Sequence, residues 1–101
     1  MNKVVSDVLA SVYLLSAEEG GRRSPIVSAS FGCVFEHAGE ANECRLLLGG
    51  KGEVWPGQTI SVRIKFLFPE LVRPRLHLGD TFELREGKVI GRGTIDEIVC
   101  R

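Results

Sequence analysis

Apolar and polar residues alternate with period two along most of this chain, which is the spacing of β-strands with one face on a core. In the run Gln58 to Phe68, QTISVRIKFLF, Ile60, Val62, Ile64 and Phe66 alternate with Thr59, Ser61, Arg63, Lys65 and Leu67. The first set is expected to face the core. From Val8 to Leu14, Val8, Ala10, Val12 and Leu14 alternate with Leu9, Ser11, Tyr13 and Leu15, so this strand has apolar residues on both faces. Further strands are predicted over Ile26 to Glu36, Cys44 to Leu48, Thr81 to Arg85 and Lys88 to Val99. Turn signals separate them at Gly20-Gly21, Gly49-Gly50, Pro56-Gly57, Gly79-Asp80 and Glu86-Gly87. No segment has a convincing helical period. About six or seven short strands at this spacing predict a closed or nearly closed antiparallel barrel, because closure removes sticky edges. Gly91 and Gly93 put two positions without Cβ on one face of the last strand, which suits a bend or the close approach of another chain segment.

Composition narrows the class without naming a function. The 101 residues fit one domain, and 44% hydrophobic with 26% charged residues is the balance of a soluble globular protein. Thirteen basic and thirteen acidic residues cancel, so no global field draws the chain to nucleic acid and any phosphate contact must come from a local patch. The start, MNKVVSDVLASV, lacks the apolar run of a signal peptide, and no stretch is apolar for long enough to span a membrane as a helix. Cytoplasmic location without membrane association is the simplest expectation. Cys33, Cys44 and Cys100 are odd in number and lack CxxC spacing, so they read as buried, inert thiols, with an exposed Cys100, one residue from the end, as the alternative.

Catalytic chemistry needs a nucleophile, base or metal set, and the sequence offers none. His37 and His77 lie far apart and read as surface loop residues, with Glu36 or Glu40 the natural neighbours of His37. Gly49-Gly50-Lys51-Gly52 has the wrong spacing for a phosphate-binding loop and reads as a hairpin turn. No cofactor or metal is expected. Arg63 and Lys65 belong to a charged outer strand face. Arg73, Arg75, Arg85, Lys88 and Arg92 are interspersed with Glu70, Asp80, Glu83 and Glu86, which would neutralise them. Among these basic residues Arg73 and Arg75, flanking Pro74, are the most loop-like and are candidates for a protein contact. Phe31, Phe35, Phe66 and Phe68 read as core stripes. Trp55, before Pro56-Gly57, is the candidate hot spot for a protein partner.

Two strand-turn-strand runs carry a family resemblance: VYLLSAEEGGRRSPI from Val12 to Ile26, and FELREGKVIGRGTI from Phe82 to Ile95. With Pro56-Gly57 between them, they resemble the third domain of translation elongation factor Tu, and the likeness extends over roughly Leu9 to Ile98. The resemblance implies an all-β, six-stranded antiparallel Greek-key barrel, here as one stand-alone domain over residues 1–101. That family carries aminoacyl-tRNA in a GTP-dependent cycle. The GTPase chemistry lies in another domain, and no GxxxxGK[ST] loop occurs here. Carried over by motif, Arg22, Arg23, Ser24, Gly87 and Lys88 are candidates for RNA or partner binding. Arg22 and Arg23 would meet phosphates, with Ser24 and the Gly87 amide as donors. Two departures stand out: ASFGCVFEHAGEANEC, Ala29 to Cys44, replaces the family's GYRPQFYFRT-like segment, and the closing hairpin is REGK rather than REGG.

The expectation is therefore a non-catalytic binding module, with an unidentified protein of the translation apparatus as its partner. Weak binding of tRNA or other RNA backbone through the EEGGRRS turn is the alternative. A structural or oligomerising role, using the second apolar face of Val8 to Leu15, is the third.

Overall fold

A computed structural model describes residues 6–99. The strands are β1 (Val8–Leu14), β2 (Ser30–His37), β3 (Glu40–Leu47), β4 (Thr59–Phe66), β5 (Thr81–Glu86) and β6 (Lys88–Ile98). They close into one antiparallel barrel in the order β1-β4-β3-β2-β5-β6, with β6 returning to β1. No described helix is long and apolar enough to cross a membrane. Cys100 lies outside the described residues.

Alternation sets the inside of the barrel as expected. Val62, Ile64 and Phe66 are buried from β4, and Val8, Ala10, Val12 and Leu14 from β1. Leu9, Ser11 and Tyr13, on the second face of β1, are half-buried. Phe35, Phe66 and Phe82 meet in the core. Phe35 stacks on Phe82 with centroids 4.5 Å apart and meets Phe66 edge-on at 4.9 Å. Each ring contributes about 2–3 kcal/mol of hydrophobic burial. Gly93 makes room for this cluster: a Cβ there would lie 2.4 Å from Phe82 Cζ and 2.7 Å from the Ser11 carbonyl oxygen. The glycine pair in the last strand thus serves close approach. Cys33 and Cys44 are buried directly opposite each other, with Sγ atoms 3.7 Å apart. Their contact and burial push the Cys44 thiol far above its ordinary range.

Several expectations need correction. The second strand begins at Ser30 rather than Ile26; Ile26 instead makes a single bridge to Val54. The third begins at Glu40, because Ala38 and Gly39, both at positive φ, form a tight turn straight after β2. The fourth ends at Phe66, and the chain then makes a short helix α1 (Pro69–Val72) and a 3₁₀ turn (Arg73–Arg75) that periodicity did not reveal. Pro69 cannot donate a ladder bond and starts the helix instead. Phe68 is consequently not a core residue but 51% exposed. His37 is the last residue of β2 rather than a loop residue, and its Nε2 lies 2.9 Å from Asp80 Oδ2 rather than beside Glu36 or Glu40.

Candidate functional site

The candidate residues divide between the two ends of the barrel. At one end lie the loop 15–29, the segment 48–58 and the turn between β5 and β6. The Ile26 to Val54 bridge ties the first to the second, and Arg22 ties the first to the third.

The loop 15–29 opens with a reciprocal cap. Ser16 N–H donates to Glu19 Oε1 at 2.9 Å and Glu19 N–H to Ser16 Oγ at 3.2 Å. The Tyr13 phenol also donates to Glu19, at 2.5 Å. That bond, with the Ser16 amide, holds the Glu19 carboxyl below its usual range, and it raises the Tyr13 phenol. The two glycines that follow have different causes. Gly20 takes φ +92, which favours glycine, whereas a Cβ on Gly21 would lie 2.1 Å from the Leu15 carbonyl oxygen.

This fold of the turn delivers Arg22 to the protein itself. Its Nη1 pairs with Glu86 of β5, its Nε donates to the Ser24 carbonyl at 3.3 Å, and its Nη2 to the Pro25 carbonyl at 3.4 Å. Its guanidinium also lies 5.2 Å from the centre of the Phe31 ring. Arg22 is thereby a link between the loop and the β5–β6 hairpin, with its charge neutralised by Glu86. Arg23, Ser24, Gly87 and Lys88 are exposed around it, Gly87 at φ +76 in the hairpin turn. Trp55 is 47% exposed at the same end, its amide donating to Gln58 Oε1 at 2.8 Å. Val27 is exposed beyond the bridge.

Arg73 and Arg75 sit at the opposite end. Arg73 reaches the fully buried Asp7 carboxylate at 3.3 Å and the Val99 carbonyl at 2.5 Å, while Asp7 also accepts the Phe66 amide at 2.8 Å. This is a structural lock. Arg75 pairs with Glu40 in the β2–β3 hairpin, and Arg85 with Glu36 at 3.6 Å. These basic residues are neutralised, but by Asp7, Glu40 and Glu36 rather than by their sequence neighbours Glu70, Asp80 and Glu83. Asp80 takes the His37 ring and the His77 amide, which lower its carboxyl below the ordinary range.

The sequence reading passed over an exposed apolar strip at this second end, Leu67, Phe68 and Leu71. The signal was Pro69, which stops the ladder and turns the alternating pattern outward. Among the described residues no cluster of three or more His, Cys, Asp or Glu is placed to hold a metal ion. No protein-family model matches the chain.

Proposed function

We propose that this chain is a non-catalytic, cytoplasmic protein-binding module of the elongation factor Tu third-domain type, and that its partner belongs to the translation apparatus. The strand order supports a Greek-key reading, since β2, β3 and β4 are successive neighbours and β1 lies beside β4. The observation that carries protein over RNA is the engagement of Arg22. One of the two arginines meant for phosphate is bound to Glu86 and stacked on Phe31, so of the cations carried over by motif Arg23 and Lys88 are left. At the same end Trp55 offers a large, exposed amphipathic side chain of the kind that anchors protein interfaces.

Calorimetric titration of the purified domain with an elongation factor nucleotide domain, and separately with tRNA, tests this. Protein binding that weakens at least about tenfold in Trp55→Ala is expected. Binding of tRNA alone, falling steeply with salt and lost in the double variant Arg23→Ala, Lys88→Ala, would replace the protein reading with RNA binding.

A further inference from the structure

The outer face of β3 and β4 carries a second, separate surface. Alternate residues of a strand stand about 6.6–7 Å apart on one face, and directly opposed residues about 4.5–5.5 Å apart. Arg63, Lys65 and Leu67 follow one another on this face at the end of β4. Arg45 of β3 lies directly opposite Lys65, and Arg63 is one step along. Three cations are thus grouped on two adjacent strands. Like charges placed directly opposite each other destabilise a sheet.

Among the described residues none of the three has an acidic side chain within ion-pair distance, whereas Arg22, Arg73, Arg75 and Arg85 each have one. Among the described residues Arg63 reaches only the Ser6 hydroxyl, at 3.5 Å. On β2, Gly32 faces Arg45 and leaves a notch: the nearest atom to a Cβ there would be Arg45 Nη1, at 3.7 Å. The result is a groove of about 530 Å³ lined by Gly32, Val34, Glu43, Arg45, Lys65 and Leu67. Beyond Leu67 the chain runs on into Phe68 and Leu71, apolar residues that are 51% and 59% exposed.

We infer that this groove docks an acidic segment of a partner protein, with carboxylates against Arg45 and Lys65 and aliphatic side chains against Leu67, Phe68 and Leu71. Charge complementarity fixes the sign of the ligand, and the apolar strip fixes its class. Phe68 is the one aromatic in the strip, so there is no row of platforms for stacked bases. Glu43 at the rim opposes a continuous polyanion but leaves room for a segment that is acidic in one half and apolar in the other. The spacing of Lys65 and Leu67, both in the groove, equals that of alternate residues on an extended peptide. The groove is distinct from the Trp55 end and does not depend on what binds there.

The test is a titration of the isotopically labelled domain with a short synthetic peptide whose first half is rich in Glu and whose second half is rich in Leu. Its Gln-for-Glu counterpart and single-stranded polyuridylate are the comparators. The acidic peptide is expected to bind, shifting resonances of β3, β4 and residues 67–71 while leaving 22–24 and 55 unmoved. The double variant Arg45→Gln, Lys65→Gln is expected to weaken it at least about tenfold, and Leu67→Ser with Leu71→Ser to do the same. Lys65→Glu separates binding from folding: it should raise the midpoint of thermal unfolding, by giving Arg45 an opposite charge, while losing the peptide. No binding, binding indifferent to the Arg45 and Lys65 substitutions, or shifts confined to the Trp55 end would overturn the assignment. Tighter binding of polyuridylate would overturn it in favour of nucleic acid.

Discussion

Single residues in this barrel are constrained by backbone atoms as much as by other side chains. Gly93 faces the core with the Phe82 ring across it, so Gly93→Ala must displace an aromatic residue that is itself stacked on Phe35. A loss of about 1–3 kcal/mol in urea unfolding is expected, the range for overpacking a filled core. Arg73 is constrained by charge. Removing it leaves the buried Asp7 carboxylate without its guanidinium, though the Phe66 amide still donates to it. Because Arg73 keeps 24% of its side-chain surface exposed, the cost is discounted from that of a fully buried pair to roughly 2 kcal/mol, measurable in the same experiment. Arg22 shows where residue-level reading reaches its limit. EEGGRRS identifies a turn with two arginines, but Glu86, 64 positions later, decides that one of them faces inward to a partner.

At the scale of elements, the legible features were those with a regular period. The inward set of β4 followed from alternation, and the paired glycines of β6 from the absence of Cβ at two-residue spacing. What alternation missed was the place where it ends. Phe68 shares the parity of Phe66, yet the ladder stops before it and α1 begins at Pro69. The alignment of Arg45 with Lys65 was also hidden, because β3 ends at Leu47 and β4 begins at Thr59, with no short turn between them to set the register.

The junction of β2 with the turn before β5 gives a pH prediction. The His37 ring and the His77 amide stabilise the charged form of Asp80, so the folded protein binds that proton more weakly than the unfolded chain. The stabilisation is fully present above the unfolded value of about 4, and is lost as pH falls through the lower folded value. Asp80→Asn should therefore lower thermal stability at neutral pH and flatten the decline on acidification below about pH 4. An unchanged acid limb would show that other carboxylates govern it.

At the scale of the whole molecule, closure of the sheet leaves the two barrel ends with different chemistry. One end carries Trp55, Arg23 and Lys88 on loops tied together by the Ile26 to Val54 bridge and by Arg22. The other carries the Asp7–Arg73 lock, the His37–Asp80 bond and the apolar strip. Closure also brings the two ends of the described chain side by side, since the Val99 amide donates to the Asp7 carbonyl at 2.9 Å. A short Gly/Ser linker can join them without distorting β1 or β6, and new ends can open at the exposed Gly49-Gly50 turn. Such a circular permutant is expected to keep the far-ultraviolet circular dichroism and cooperative melting of the parent. The same adjacency means the barrel can be spliced into a surface loop of a host protein as a cassette, entering and leaving through one narrow doorway.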